Sequence, residues 1–387
     1  MKILLCSPIP TLDPRLGAAR VALDFASGLD ELGVDYDLYP RADQTIARVD
    51  YAAHLQEFLP RVASQYDVVD YPFHAKPWIE SASGSGSTLK VARIMLLPHH
   101  EDFDPDPQPP KSFYRSFRSV ARVICGRKKP PLYSPEIRRD MDDNIRRAHL
   151  TNVGNTADRE CLIRLGFDEK KIKVFPYGLT TAAVAAFDEI HARPDQVSRT
   201  PTIAFLGTFD YRKGCLDFPD IVSRIASSVP RVRFRLLGTR GMMQTANQVR
   251  LFFPKKMRER IEIHPSFDPA ELPQLLADCS VGIFPSYREG FGIAVVEMLA
   301  AGLPVFAYDV AGPCDILPKA WLVERGATIE LSRRVIKALN APDNRRLDLS
   351  NQAIAASRRF HWHQIAADTI DCYSQHLAVL RSPQKEK

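Results

Sequence analysis

The sequence predicts an α/β fold of two doubly wound domains facing a central cleft, and three observations predict it. The chain is 387 residues long, beyond the size at which a single hydrophobic core keeps growing, so two domains of about 150–200 residues are expected. Short apolar runs of strand length alternate with helix-length segments, the pattern of a parallel sheet covered on both faces. That alternation runs twice, resetting after a polar stretch near residue 190.

Residues 2–10 open the first half as a continuous apolar strand. Over 18–32, Val21, Ala22, Phe25, Ala26, Leu29 and Leu32 recur at helical spacing, and Gly33 follows as a C-cap. Further strands are expected at 35–39, 66–71 and 89–97. Residues 188–200 have no clear period and read as a linker. Beyond them, strands are expected at 202–206, 232–237, 261–263, 281–284 and 304–308, with a last helical stretch at 362–381. The expected organisation is therefore a first domain over 1–187, a linker over 188–200, a second domain over 201–361 and a terminal helix within 362–387.

Composition narrows the class. An apolar fraction of 45% and a charged fraction of 25% are those of an ordinary globular chain. The longest apolar runs, 292–301 and 303–308, fall short of the roughly 20 residues that span a bilayer. Met1–Pro8 reads as a first buried strand, since a proline and acidic residues follow its short apolar run at once, and not as a signal peptide. The seven cysteines are odd in number, scattered and free of any C-x-x-C. That pattern predicts reduced thiols in a cytoplasmic protein, without a disulfide framework or a zinc site. The net charge of +6 suits phosphorylated ligands or an anionic surface. Ser83-Gly84-Ser85-Gly86-Ser87 imitates a phosphate loop, but it precedes a strand instead of leading from one into a helix, so it reads as a connection.

The most informative stretch runs Phe284-Pro285-Ser286-Tyr287-Arg288-Glu289-Gly290-Phe291-Gly292 into a helix bearing Glu297. A buried strand ends, a glycine turn follows, and the first amides of the helix then favour an anion. Gly290 and Gly292 let a ligand approach the backbone. Two carboxylates beside a phosphate site make sense if sugar hydroxyls flank it, because carboxylates accept strong hydrogen bonds from hydroxyls. The plain alternative is a solvent-exposed Glu297 behind glycines that only cap and turn. In a second element, strand 202–206 ends at Leu206-Gly207-Thr208 and meets Arg212-Lys213-Gly214. Adjacent cations after a glycine turn suit a diphosphate, and a solvated helix start is the alternative there.

Glu289 and Glu297 together resemble the E-x7-E signature of GT-B glycosyltransferases. The surrounding P-S-x-x-E-G-F-G pattern looks like the retaining family 4 enzymes, the group 1 glycosyl transferases. The resemblance covers about residues 150–380 and is thin before that. It implies two Rossmann-like domains, with the acceptor side in the first, the nucleotide-sugar donor side in the second, and the terminal helix packing back on the first. It assigns Arg212 and Lys213 to the donor diphosphate, Glu289 to the hydroxyls of the transferred hexose-type sugar and Glu297 to the ribose. Gly207, Gly290, Phe291 and Gly292 would line the donor site, and Phe267 would stack on the base or serve as a core aromatic. Many members carry Arg where this chain has Thr208, so that one phosphate contact is either missing or supplied from elsewhere. Gly17 resembles the glycine turn that brings phosphate or acceptor to the backbone. The family often places a histidine near the sugar after the strand at 89–97. His99 is the nearer to the strand end, and His100 is the alternative.

The resemblance implies transfer with retention from a nucleotide-diphosphate sugar to a glycan, lipid-linked or small-molecule acceptor. No other cofactor and no metal are expected, since cations and helix amides neutralise the leaving group. Asp104-Pro105-Asp106 looks like a metal-binding D-x-D, but its prolines and missing companions argue against one. Ser112–Gly126 places Arg115, Arg118 and Arg122 on one helical face and Phe113, Phe117, Val120 and Ile124 on another. Such a segment can lie on an anionic membrane, giving peripheral contact at the cytoplasmic face, or pack on its own domain. Nucleic acid is not an expected partner, as no recognition module is present. A GT-B nucleotide-sugar epimerase and a non-catalytic nucleotide-sugar-binding homologue are the rival functions.

Overall fold

The computed structural model describes residues 1–41, 46–47, 51–75, 87–102, 134–192 and 200–382. The described residues of Met1–His100, Pro131–Thr181 and Phe360–Lys387 form one compact unit, and those of Ala182–Arg359 form the other. The Ser83–Ser87 connection, Asp104, Asp106 and the Ser112–Gly126 segment fall outside the described residues, save Ser87.

In the first unit, β1 (Lys2–Cys6), β2 (Asp35–Tyr39), β3 (Val68–Pro72), β4 (Leu89–Arg93), β5 (Leu150–Val153) and β6 (Ile172–Val174) form a parallel sheet. Among the described residues its order is β2-β1-β3-β4-β5-β6, and Lys2 to Cys6 lie beside Asp35 to Tyr39 in step. Helices α1 (Gly17–Glu31), α2 (Tyr51–Val62), α3 (Pro135–Arg147) and α4 (Thr156–Arg164) belong to its connections. Two strands are shorter than their apolar runs suggest. β1 stops at Cys6 and not at residue 10: Ser7 still donates to the Tyr39 carbonyl at 2.7 Å, but Pro8 and Pro10 have no N–H to continue the ladder. β4 stops at Arg93; Ile94 donates to the Asn152 carbonyl at 2.8 Å, and Pro98 then opens a tight helical turn over Pro98–Asp102.

The second unit opens with α5 (Thr181–His191). The stretch expected as linker from 188 therefore begins inside a helix, where Phe187 is buried and the His191 Nε2 hydrogen-bonds the Ala300 carbonyl at 2.7 Å. Strands β7 (Thr202–Leu206), β8 (Arg233–Leu237), β9 (Ile261–His264), β10 (Val281–Phe284), β11 (Val305–Tyr308) and β12 (Leu322–Val323) form a second parallel sheet. Its order among the described residues is β12-β11-β10-β7-β8-β9. Around it lie α6 (Phe218–Ser228), α7 (Ile293–Ala300), α8 (Thr328–Leu339) and α9 (Asp343–Ser357). Helix α7 is buried from Ala294 to Ala300, which is why its sequence is apolar all round except at Glu297.

The chain ends in α10 (Trp362–Arg381), which rejoins the first unit. Gly28 of α1 lets it come close: a Cβ there would sit 2.9 Å from the Ala366 Cβ. Trp362 stacks on Phe25 with ring centroids 5.6 Å apart. Deeper in, Tyr373 donates to the Asp70 carboxylate at 2.7 Å and accepts from the Asn152 amide at 2.7 Å. Arg93 grips the same carboxylate at 3.0 and 2.5 Å. The charged pair in this network is hydrogen-bonded, the condition under which burying charge is tolerated, while the buried Asn152 Oδ1 has no partner among the described residues.

Candidate functional site

Strands β7 and β10 are neighbours in a parallel sheet, so the loops leaving their carboxyl ends emerge side by side, where ligands of open α/β sheets bind. The first loop runs from Gly207 to Gly214, and the second runs from Pro285 to Gly292 into α7. They interlock. The Tyr287 N–H donates to the Arg212 carbonyl at 2.8 Å. Gly214 has φ +76°, and a Cβ on it would run into the Pro285 carbonyl oxygen. Only glycine permits that approach.

Three charged side chains meet across this seam. Lys213 forms an ion pair with Glu289 Oε1, and its ammonium lies 4.6 Å from the centre of the Phe284 ring. Arg212 donates to Glu289 Oε1 at 3.3 Å and to the Arg288 carbonyl at 3.2 Å. Glu289 and Lys213 are buried, whereas the Arg212 side chain keeps 33% of its surface exposed. Burial would push the Glu289 carboxyl up, but Lys213 and Arg212 outweigh it and hold the pKa below its ordinary value. Burial lowers the Lys213 pKa, with Glu289 opposing the shift. Among these three side chains two cations face one carboxylate, and the Asp210 carboxylate in the same loop adds to the negative charge around Lys213. The Lys213 ammonium also lies 3.7 Å from where a Cβ on Gly207 would stand, so Gly207 gives bare backbone beside the charge.

Gly290 and Phe291 are buried, and Gly292 caps α7 in the left-handed region at φ +95° with no side-chain cap. Gly292 puts no side chain over the first amides of α7, of which the Val295 N–H donates to the Gly292 carbonyl at 2.8 Å; a helix start of this kind suits an anion. Glu297 lies one turn in, buried at 3% exposure. That burial sets aside the alternative of a solvent-exposed Glu297. On the other side of β7, the Phe267 ring edge lies 3.3 Å from the Cβ position of Gly238 at the end of β8, and Phe267 is half-buried.

The first unit carries the other two sequence candidates. Gly17 opens α1 in an exposed position, with no side-chain cap on the helix and nothing within 4 Å of a Cβ there. His99 is buried at 3% exposure, its Nε2 on Asp142 Oδ1 at 2.8 Å. Its Nδ1 has no hydrogen-bond partner among the described residues. The neighbouring His100 is more exposed and pairs with the buried Asp158 at 2.7 Å. No group of three or more His, Cys, Asp or Glu side chains that could hold a metal occurs among the described residues.

Two aspartates that the sequence does not single out, Asp210 and Asp217, support the site. Thr208, which stands where a family arginine is common, donates to Asp210 Oδ2 at 2.6 Å. The other Asp210 oxygen accepts the Lys213 N–H at 3.1 Å, so Asp210 folds the cationic turn. Asp217 accepts from Tyr287 at 2.7 Å and Tyr308 at 2.5 Å. Asp210 had a visible signal, an acidic residue three before a turn lysine, the spacing of a side-chain cap. Asp217 had none, because its partner is 70 residues away.

This half of the chain also has relatives. Residues 200–341 match the family described as glycosyl transferases group 1. Over those residues the chain is similar to the group 1 glycosyltransferases. A D-inositol 3-phosphate glycosyltransferase of Xylanimonas cellulosilytica is 30% identical over 257 residues, 59% of this chain and 57% of that protein. A 2-deoxystreptamine glucosyltransferase of Streptomyces kanamyceticus is 26% identical over 211 residues, 51% of this chain and 52% of that protein. The chain thus spans about half the length of the curated relatives it matches. Among solved structures, sucrose-phosphate synthase from Thermosynechococcus elongatus superposes with a TM-score of 0.72 at 16% identity, covering 98% of this chain and 100% of that one. Anabaena HepE in complex with UDP and glucose gives a TM-score of 0.64 at 18% identity over 97% and 99% of the two chains. These likenesses establish the GT-B fold. No helix among the described residues is long and apolar enough to cross a membrane.

Proposed function

We propose that the chain is a retaining hexosyltransferase that moves a sugar from a nucleoside-diphosphate sugar to a hydroxyl of a glycan, lipid-linked or small-molecule acceptor. The observation that carries the proposal is the Arg212–Lys213–Glu289 seam beside the α7 N-terminus. Breaking the bond between the anomeric carbon and the diphosphate oxygen leaves positive charge on the ring and negative charge on the departing diphosphate. Arg212, Lys213 and the α7 amides face the second of these, as fixed charges that need no rearrangement at the moment of reaction. Glu289 takes the sugar hydroxyls once the diphosphate draws on the cations, and Glu297 takes the ribose. Phe267 supports the base against the bare backbone of Gly238.

UDP is the proposed nucleotide, supported by the same-fold HepE structures solved with UDP and with UDP-glucose. In the first unit, His99 is the proposed sugar-facing residue. The Nε2–H donates to Asp142, and Nδ1 is the nitrogen proposed to accept from a sugar hydroxyl. Gly17 and the start of α1 are proposed to receive phosphate or acceptor. The proposed setting is the cytoplasm, with peripheral contact to anionic membrane through the basic segment around Ser112–Gly126; pelleting with anionic vesicles tests that contact.

A thermal-shift panel of UDP, GDP, ADP and their common sugar conjugates tests the donor site. Ligands that bind only the folded state raise the midpoint by mass action. UDP is expected to raise it in the native protein and not in Arg212→Ala/Lys213→Ala. No shift with any nucleotide, in folded protein, overturns the donor assignment. Proton NMR of the product's anomeric centre tests retention, and inversion overturns it.

A further inference from the structure

We infer that Tyr287 and Asp217 are positioning residues of the donor site, a latch that holds Glu289 in register with Arg212 and Lys213. The inference rests on the donor-site assignment above and adds two residues that contact neither the diphosphate nor the sugar in it. Asp217 stands at the start of α6, three residues after Gly214. It does not cap that helix; its side chain makes no capping bond. Its Oδ2 accepts instead from the hydroxyls of Tyr287, at 2.7 Å, and Tyr308, at 2.5 Å. Hydrogen bonds to an ionised acceptor are the stronger kind, about twice a neutral pair.

Tyr287 is two residues before Glu289 and is fastened at both ends. Its N–H holds the Arg212 carbonyl at 2.8 Å, and its hydroxyl holds the far side of the same loop through Asp217. The segment Arg212–Asp217 is thereby clasped to the segment Pro285–Glu289 on either side of the Gly214–Pro285 contact. The Tyr308 ring backs Tyr287, edge to face, with centroids 5.4 Å apart. Tyr308 ends β11, outside both loops, so its bond to Asp217 steadies the acceptor without touching the seam. With the latch made, the backbone geometry that brings Glu289 Oε1 between two cations is fixed before any ligand arrives, and binding spends less free energy on ordering the loops.

The paired variants Tyr287→Phe and Tyr308→Phe separate positioning from mere stability. Each removes one hydroxyl from the same carboxylate oxygen, but only Tyr287 lies on the loop that carries Glu289. UDP binding by calorimetry and melting temperature are measured on the native protein and both variants. Tyr287→Phe is expected to weaken UDP binding about five- to tenfold while Tyr308→Phe leaves it within twofold, the two melting temperatures falling alike. In turnover, Tyr287→Phe is expected to raise the donor KM more than it lowers kcat. Asp217→Asn, which keeps an acceptor oxygen, is expected to retain more affinity than Asp217→Ala. Equal UDP affinity in the native protein and Tyr287→Phe overturns the latch, as does an equal loss in both tyrosine variants. Absence of UDP binding in the native protein overturns the donor-site assignment instead.

Discussion

At the scale of single residues, the site is an exercise in charge held by its neighbours. Lys213 and Glu289 are both buried and pair with one another. Removing Glu289 strands the Lys213 charge, a loss of about 3–5 kcal/mol; removing Lys213 leaves Glu289 with Arg212 alone, and removing both costs less than the two losses added. Lys213→Met and Glu289→Gln are therefore each expected to lower the melting temperature strongly, and the double variant by less than the sum; strict additivity in a denaturant series refutes the pairing. The same pair sets a pH dependence. The folded pKa of Glu289 lies below its ordinary value of 4.5, so its contribution to stability is present above that value. It is lost as pH falls through the folded pKa. Below pH 4.5 the native protein is expected to lose stability more steeply than Glu289→Gln, which has no carboxylate to protonate.

At the scale of elements, what matters is how two loops far apart in sequence are forced into one seam. Gly214 is the point of closest approach, and any side chain there meets the Pro285 carbonyl, which cannot swing away as a side-chain tip can. Gly33 also has positive φ, +66°, but has nothing within 4 Å of a Cβ. Gly33→Ala is thus expected to cost only the backbone strain, about 1 kcal/mol. Gly214→Ala is expected to cost more than that and to abolish UDP binding; equal melting temperatures for the two variants would show that the seam opens without penalty. The strands that hold these loops were legible. Residues 202–206 and 281–284 are short apolar runs buried on both faces, and both became strands with those bounds. Arg212, Lys213 and Glu289 stand out from local motifs, and the structure brings the three together. β6 and β12 were not predicted, since three and two residues carry too little period to register. The Tyr287–Asp217 bond left no trace in the sequence, because nothing about a tyrosine or an aspartate states which distant residue it will meet.

At the scale of the whole molecule, the order of the chain and the membership of the units disagree, and that makes a test. Helix α10 follows the second unit in sequence but belongs to the first, where Tyr373 closes a network with Asp70, Arg93 and Asn152. Asp70 is fully buried, and its charge is balanced by Arg93 and by the tyrosine hydroxyl. Tyr373→Phe removes one donor from a buried carboxylate and one acceptor from a buried amide. Hydrogen bonds to charged groups contribute about 1.5–3 kcal/mol, and an amide left unpaired adds to the loss. The first unit is therefore expected to melt several degrees lower in Tyr373→Phe. The residues proposed for the diphosphate, ribose and base, from Gly207 to Glu297, lie in the second unit. UDP affinity is accordingly expected to stay within twofold of native, and saturating UDP to lift the second unit's transition by the same amount as before. A loss of UDP affinity matching that of Arg212→Ala/Lys213→Ala would mean that α10 supports the donor site, and that the two units do not divide stability and donor binding between them.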